Sequence, residues 1–382
     1  MASFKQYEKK NGVKAWMFRA YLGKDDATGK EIRTKRYGFK TKKEAQLALS
    51  RLKLDFEKDG LKKEINITFQ EAYELWEVNY KNTVKESTYY KTKEMFDLHI
   101  LPFFSKYKVS KIPVAKAQSF ANQMVTILVN YRRAVSDASR VIKFAVNLGY
   151  AEENPFDKIT MPKRKEELTD DKKQNYYSKE ELEIFLSALE KKNDIRKYAF
   201  LRTLAFSGMR VGELCALNWE DINFEDKTIR ISKTVARGKD NRLYIDHPKA
   251  KNSNRTIPMD KKTLKIISKW RIEQKRVMLQ LGINIFQTKQ LVFPSWDNKL
   301  LEFSQPRKWI NTITKETKLH HITIHGLRHT HATMLLESGT TLKDVQIRLG
   351  HARIQITMDL YIHITKKRSR ETVDQLVEYI DF

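Results

Sequence analysis

The order of predicted secondary structure after Tyr177 most constrains the fold of this 382-residue chain. Hydrophobic periodicity predicts helices, then three short strands, then more helices, the first five segments being 178–191, 195–206, 228–233, 243–246 and 255–258. Strands grouped between helices, instead of alternating with them, exclude the parallel sheet of the common nucleotide-binding folds. Gly-rich phosphate loops are also absent from the sequence. We therefore expect a mixed α+β domain with small antiparallel sheets.

The first 62 residues predict a small sheet followed by a helix. Apolar and polar residues alternate over 15–22 and 31–39, and Gly29 lies in the polar turn between them, which indicates a hairpin or a three-stranded meander. Thr41 and Glu44 then form the start signal of a helix that ends at Gly60.

The region 65–160 predicts helices only. Phe69, Ala72, Tyr73 and Trp76 form one helical stripe, and a long amphipathic helix is expected over 127–148. The charged stretch 161–176 is either a linker between domains or a surface loop of one domain. We expect domains at 1–62, 65–160 and 177–382, the last with a tail over 362–382, so that the whole chain is mainly α with small β-sheets.

Charge indicates the class of partner. Lys and Arg number 73 against 47 Asp and Glu, a formal net charge of +26, which favours a polyanion such as nucleic acid. The single cysteine, Cys215, excludes an intrachain disulfide framework and a Cys-based zinc module. No apolar run reaches the ~18 residues that a membrane span needs, and the N-terminus lacks an apolar leader. We expect a cytoplasmic protein without a membrane partner.

The first motif that suggests chemistry surrounds Arg210. Gly208 breaks the preceding apolar helix, and Arg210 and Glu213 stand three residues apart on one face of the next helix. An arginine near helix N–H groups binds phosphate well, because its fork matches two oxygens and keeps its proton. Alternatively, the two residues form an ordinary ion pair on a solvated helix face.

Lys249 lies in a turn between two predicted strands. A lysine held against a scissile phosphate ester can protonate the leaving alkoxide as a general acid. The alternative is one more surface lysine among many.

His325 and Arg328 are one helical turn apart and can reach the same ligand. His325 and His329 have the i, i+4 spacing of zinc peptidases, but Gly326 stands where those enzymes carry their Glu base. We therefore expect no metal site. His331 lies on the apolar stripe and is interpreted as a core histidine.

A short helix capped by Thr341 is predicted to end at Gly350 and to deliver His351 at its terminus. Tyr361 follows ten residues later, near the end of a second small predicted helix. Taken alone, Tyr361 is better explained as a packing or surface residue, as most tyrosines are.

Taken together and in chain order, these motifs resemble the catalytic constellation of the tyrosine recombinases, the family of phage and mobile-element integrases. The motifs are Arg210 with Glu213, the turn lysine, His325-x-x-Arg328, Leu349-Gly350-His351 and Tyr361. The resemblance covers the chain from about Tyr177 onward. Upstream, the helical region resembles the SAM-like core-site-binding domain of that family, and the first 60 residues resemble its arm-site-binding module.

The resemblance implies the following roles. Arg210 and Arg328 would clamp the phosphate oxygens, His325 and His351 would hydrogen-bond the transition state, and Tyr361 would be the nucleophile. Lys249 would protonate the leaving 5′ hydroxyl and Glu213 would support the site. The family often has Lys-Thr where this chain has Lys249-Ala250, so Lys251 remains an alternative general acid. Neither a metal nor another cofactor is implied, because positioned Arg and Lys charges can stabilise the phosphoryl oxygens.

The resemblance also implies partners: double-stranded DNA at core and arm sites, a tetramer of this chain acting through a Holliday junction, a directionality factor and a DNA-bending host protein. The tail packs either on a neighbouring protomer or on its own domain. Basic residues expected to contact DNA are Arg19, Arg33, Lys35, Arg36, Lys91, Lys93, Arg140 and Lys143. Two other functions compete, a type IB topoisomerase and a non-catalytic DNA-binding regulator derived from a recombinase.

Overall fold

The computed structural model describes residues 2–9, 12–24, 29–59, 67–164, 174–247, 254–285, 289–351, 353–355 and 358. The chain divides into two compact units. One comprises residues 1–83 with 92–164, and the other comprises residues 84–91 with 165–382. Within the described ranges, no helix is both long and apolar enough to cross a membrane.

The N-terminal module is a three-stranded antiparallel meander covered by one helix. Its elements are β1 (Ala2–Glu8), β2 (Lys14–Lys24), β3 (Glu31–Phe39) and α1 (Lys42–Asp59). Thr41 Oγ1 accepts a hydrogen bond from the Glu44 N–H at 3.1 Å, as the sequence predicted. Phe18 and Ala20 of β2 pack against Ala45 and Leu49 of α1, so one sheet face is covered and the other stays open.

The next region is helical, as predicted. It contains α2 (Phe69–Thr83), α3 (Glu86–Met95), a π-helical turn over Phe96–Ile100, α4 (Leu101–Phe104), α5 (Val114–Ile127) and α6 (Tyr131–Asn147). The predicted stripe of α2 is buried at all four positions. Aromatic side chains fill this core, where Phe104 contacts Phe69, Phe120 and Phe156 with ring centroids 5.0 to 5.7 Å apart.

The long amphipathic helix predicted over 127–148 is present as α6, but its predicted start was wrong. Leu128 is extended, with φ −113° and ψ 134°, and it separates α5 from α6. The apolar residues that suggested continuity point outward, since Ile127 is 53% and Val129 is 80% exposed. The buried stripe of α6 begins only at Tyr131.

The second unit is the predicted mixed domain. Its helices are α7 (Lys179–Lys191), α8 (Ile195–Ser207), α9 (Val211–Cys215), α10 (Lys261–Gln280), α11 (Ser304–Thr317), α12 (Ile324–Glu337) and α13 (Leu342–Leu349). Its strands are β4 (Ile222–Asn223), β5 (Thr228–Ile231), β6 (Thr234–Arg237), β7 (Leu243–Asp246) and β8 (Arg255–Pro258). The antiparallel sheet β4-β5-β8 and the hairpin β6-β7 lie between the helices.

α8 is the central helix of this domain. Ten of its thirteen residues are buried, and it packs against α7, α10 and α12. Its end, at Ser207, is therefore fixed by packing on several sides. The sequence predicted one strand over 228–233, but the structure ends β5 at Ile231 and begins β6 at Thr234, because the chain passes there from the sheet with β8 to the hairpin with β7.

Candidate active site

The first part of the site lies where α8 ends and α9 begins. Gly208 ends α8 in the left-handed region at φ 65°, and a Cβ there would lie 2.5 Å from the His331 ring. Arg210 is the N-cap residue of α9, and Glu213 is its third residue. Glu213 accepts hydrogen bonds from the backbone N–H and the guanidinium of Arg210, both at 2.9 Å. One carboxylate thus fixes both the backbone and the side chain of Arg210.

Arg328 reaches the same place from α12, which begins after its N-cap residue Thr323. Its guanidinium donates to the carbonyl oxygens of Gly208 at 2.6 Å and Leu349 at 2.8 Å. Burial and the nearby charge of Arg210 lower the pKa of Arg328 to about 9, so it remains a cation at neutral pH. Within the part of the chain that the structure describes, no carboxylate lies in ion-pair contact with Arg328.

Three arginines from other elements donate hydrogen bonds to the C-terminal end of α13. Successive carbonyl oxygens each accept from a different guanidinium: that of Arg348 from Arg255 at 2.8 Å, that of Leu349 from Arg328 at 2.8 Å, and that of Gly350 from Arg210 at 3.4 Å. Cations are favoured there, because the unpaired carbonyls at a helix C-terminus carry partial negative charge. Gly350 adopts the left-handed conformation at φ 66°, and His351 follows it.

Two histidines at the site are neutral. Burial, together with His329, Arg328 and Arg210, lowers the pKa of His325 to about 4. Burial and the two arginines likewise lower the pKa of His351 to about 3. At neutral pH each imidazole therefore offers one N–H donor and one acceptor. The His325 and His329 rings are perpendicular, with centroids 4.6 Å apart.

The described part of the site carries surplus positive charge. Burial alone would raise the pKa of Glu213, but its hydrogen bonds and ion pairs with Arg255 and Arg210 lower it below the ordinary value, so the carboxylate is charged. Arg210, Arg255 and Arg328 thus bring three positive charges against one negative charge. A phosphate diester is an anion that this arrangement would stabilise.

The structure brings together five of the residues that the sequence singled out: Arg210, Glu213, His325, Arg328 and His351. Lys249, its alternative Lys251, Tyr361 and the tail over 362–382 lie outside the described residues. His331 is a core histidine, as predicted. It is 7% exposed, its Nδ1 is 2.9 Å from the Ala205 carbonyl oxygen, and burial with the charge of Arg348 lowers its pKa to about 3.

Sequence reasoning missed Arg255. The guanidinium of this residue, whose side chain is 7% exposed, contacts both oxygens of Glu213, at 3.2 and 3.0 Å. A signal was present, because Arg255 and the buried Ile257 are two residues apart in one strand and so point to the same face. A charged residue on the core-facing side of a strand needs a buried partner.

In the N-terminal module, three of the predicted DNA contacts share one face. Strand register places Arg19 opposite Lys35, and Arg33 opposite Tyr21, on the open side of the sheet. Arg36 pairs with Phe18, so it points to the side that α1 covers.

The remaining predicted DNA contacts lie on α3 and α6. Lys91 and Lys143 are exposed. Lys93 pairs with Glu77 at 3.1 Å, and Arg140 pairs with the buried Asp137 at 2.8 Å. Carboxylates of the helical region therefore neutralise part of the positive charge of Lys93 and Arg140.

Three family models match the chain. That of the phage integrase family matches residues 175–368, about half the chain and the whole span from Arg210 to Tyr361. This chain belongs to the phage integrase family, the tyrosine recombinases. A model of an N-terminal SAM-like phage integrase domain matches residues 68–125, and an arm DNA-binding domain matches residues 3–56.

Individual relatives agree with this family. The chain is 30% identical to a XerC-like tyrosine recombinase of Caldanaerobacter subterraneus over 96% of this chain and 97% of the relative. It is 28% identical to the ICEBs1 integrase of Bacillus subtilis over 93% and 95%. The chain is therefore a site-specific recombinase of the integrase type.

Solved structures show the same fold. The Tn1549 transposon integrase, in complex with a circular intermediate DNA, superimposes with a TM-score of 0.67 at 21% identity, covering 81% of this chain and 99% of that one. A lambda integrase tetramer bound to a Holliday junction has a TM-score of 0.56 at 16% identity, covering 93% and 94%.

Proposed function

We propose that this recombinase cleaves and rejoins DNA through a 3′-phosphotyrosine intermediate, with Tyr361 as the nucleophile. The observation that carries the proposal is the surplus positive charge around Glu213, next to two neutral histidines. This combination suits a phosphodiester whose negative charge grows in the transition state.

Arg210 and Arg328 divide the binding of the scissile phosphate. The Arg210 side chain is 40% exposed, so its free N–H groups are open to a DNA phosphate. Arg328 is 2% exposed and stabilises the phosphate from the protein interior, through its charge and its remaining N–H groups. His325 and His351 donate hydrogen bonds to the phosphoryl oxygens from neutral rings.

In the cleavage step, the Tyr361 oxygen bonds to phosphorus while the bond from phosphorus to the 5′ oxygen breaks. The phenol proton passes to a neutral imidazole, whose basicity rises once the phosphate offsets the arginine charges. Lys249 gives a proton to the leaving 5′ oxygen, and Lys251 is the alternative donor. A 5′ hydroxyl of the partner strand reverses these steps, so the bond energy is conserved and no ATP is consumed.

The basic surface positions the DNA. Arg19, Arg33 and Lys35 contact arm-site phosphates from the open face of the N-terminal sheet, and Lys91 and Lys143 contact the core site. Because the net charge is +26, binding releases many counterions and weakens steeply with salt.

We further infer domains at 1–62, 65–160 and 177–382, joined by a linker at 161–176. A tetramer exchanges strands in two steps through a Holliday junction, by analogy with the tetramer seen for lambda integrase. The protein acts on nucleoid DNA in a bacterial cytoplasm, with a directionality factor and a DNA-bending host protein.

The test is to incubate the purified protein with fragmented bacterial DNA in EDTA, trap protein-linked DNA with detergent and sequence it. We expect adducts at one sequence, absent from Tyr361→Phe. Adducts that persist in this variant, or tight salt-sensitive binding without adducts, would contradict the proposal.

A further inference from the structure

Three arginines, Arg210, Arg255 and Arg328, donate to the end of α13, and Arg255 is the one that the sequence did not suggest. It is the first residue of β8, and its described contacts connect two parts of the site. Two of its nitrogens donate to the two oxygens of Glu213, at 3.2 and 3.0 Å. The third, Nε, donates to the Arg348 carbonyl oxygen at the end of α13, at 2.8 Å.

These contacts connect Arg255 to Arg210 through Glu213. Glu213 holds both the backbone N–H and the guanidinium of Arg210, and Arg255 holds Glu213 from the other side. The orientation of the Glu213 carboxylate, and with it that of Arg210, thus depends on the planar fork of Arg255.

The contact with Arg348 reaches the other half of the site. The next two carbonyls of the α13 terminus accept from Arg328 and Arg210, and His351 follows directly. The side chain of Arg348, in the same terminus, also anchors it to the rest of the domain. Its guanidinium donates to His331 Nε2 at 2.9 Å and to the carbonyl oxygens of Phe206 and Pro258, both at 3.1 Å. Arg255 therefore links β8, the start of α9 and the end of α13.

We propose that Arg255 is a positioning residue for DNA cleavage, which aligns Arg210 and His351 through Glu213 and the end of α13. The inference rests on the proposed function and adds a residue to its machinery. Arg255 need not touch the phosphate itself. A displacement of about 1 Å in a reacting geometry can cost about 10²-fold in rate, so losing such a link should slow cleavage far more than it weakens DNA binding.

A matched control lies one strand away. Arg230 of β5 is paired in the sheet with Thr256, the residue after Arg255, and it also contacts a buried carboxylate, that of Asp221 at 3.1 Å. Arg230→Gln removes the same charge from the same sheet without touching Glu213 or α13.

The experiment compares full-length wild type, Arg255→Gln, Arg255→Lys and Arg230→Gln on the DNA that the trapping experiment identifies. Single-turnover adduct formation, the DNA Kd and the melting temperature are measured for each. We expect Arg255→Gln to slow adduct formation about 10²-fold, with a Kd within about threefold of the Arg230→Gln value. Arg255→Lys should restore less than a tenth of the loss, since one ammonium cannot replace the fork.

A double-variant cycle separates positioning from simple destabilisation. If Arg255 acts through Glu213, then Arg255→Gln combined with Glu213→Gln slows cleavage little more than either change alone. Arg255→Gln cleaving at the wild-type rate would overturn the inference. A rate loss fully explained by the unfolded fraction, or full additivity in the cycle, would overturn it as well.

A second probe keeps the inference separate from the proposed function. If wild type forms no Tyr361-dependent adduct, the proposed function fails, and binding of inorganic phosphate followed by ³¹P NMR decides the role of Arg255. We expect phosphate to bind at least fivefold more weakly to Arg255→Gln than to Arg230→Gln, because Arg210 loses its alignment. Equal affinities would overturn the inference.

Discussion

Glu213 and Asp221 are two buried carboxylates in the same type of local structure, but their surroundings differ. Each is the third residue of a short helical turn, and each accepts a hydrogen bond from the backbone N–H of the N-cap residue, Arg210 or Asn218. Each also receives two basic side chains. Asp221 pairs with Arg230 at 3.1 Å and Lys233 at 2.7 Å.

The two clusters differ in what surrounds them. Near Glu213 stands Arg328, a third cation that contacts only carbonyl oxygens among its described partners, together with the neutral His325 and His351. Asp221 is 2% exposed, and among the described residues its partners are the Asn218 N–H, Arg230 and Lys233, with no third cation and no histidine. A buried ion pair is therefore not by itself a sign of function. Among the described residues, the Glu213 cluster is distinguished by Arg328, a further buried cation without a carboxylate partner, beside two neutral histidines.

The largest difference should appear when one arginine is removed from each cluster. We expect Arg210→Ala to reduce adduct formation by about 10³- to 10⁵-fold, the range found for arginines that stabilise phosphoryl transfer. Arg230→Gln should stay within about threefold of wild type. Quenched single-turnover assays measure both rates, and similar losses in the two variants would refute the distinction between the clusters.

Removing each carboxylate charge should affect stability in both clusters but cleavage in only one. Glu213→Gln and Asp221→Asn should both lower the free energy of unfolding, by roughly 1 to 3 kcal/mol, because each leaves buried donors poorly paired. Only Glu213→Gln should also slow cleavage under conditions where the protein is fully folded. Urea unfolding and cleavage assays decide this, and a folded Asp221→Asn variant that cleaves slowly would refute the difference between the two carboxylates.

Acid should destabilise the Glu213 region through its histidines. The pKa of His325 is about 4 in the folded protein against an ordinary 6.5, so the unfolded chain binds a proton first. Stability is therefore full above about pH 6.5 and falls toward pH 4, by up to about 1.4 kcal/mol per pH unit for each such histidine, less where the ring is partly exposed.

Urea titrations at pH 7, 5.5 and 4.5 measure this slope. His325→Gln should flatten it relative to wild type. An unchanged slope would mean that His325 is not held neutral in the folded protein.

The smallest effect concerns the two faces of the N-terminal sheet. Arg19→Gln on the open face should reduce the slope of log K against log salt for arm-site DNA by about 0.9, the value of one phosphate contact. Arg36→Gln, on the face toward α1, should change it little. Fluorescence anisotropy at several salt concentrations measures both, and equal changes would show that the strand register does not decide DNA contact.

Sequence predicted those parts of the molecule whose cause is local. The break at Gly208, the caps at Thr41 and Thr341, and the turn at Gly350 follow from residues within a few positions of each other. Arg255 could not be assigned in this way, because its partners stand 42 and 93 residues away in the chain. The break before α6 was missed because outward-facing Ile127 and Val129 imitate a buried stripe.

On the proposed function, the surplus arginine charge around Glu213 stabilises the negative charge of the scissile phosphate. The most direct measurement compares wild type and Arg210→Ala on DNA carrying either a normal phosphate or a neutral methylphosphonate at the cleavage position. We expect the Arg210→Ala defect to shrink by at least about 10²-fold on the neutral substrate, since no negative charge remains to be stabilised. A defect of the same size on both substrates would contradict it.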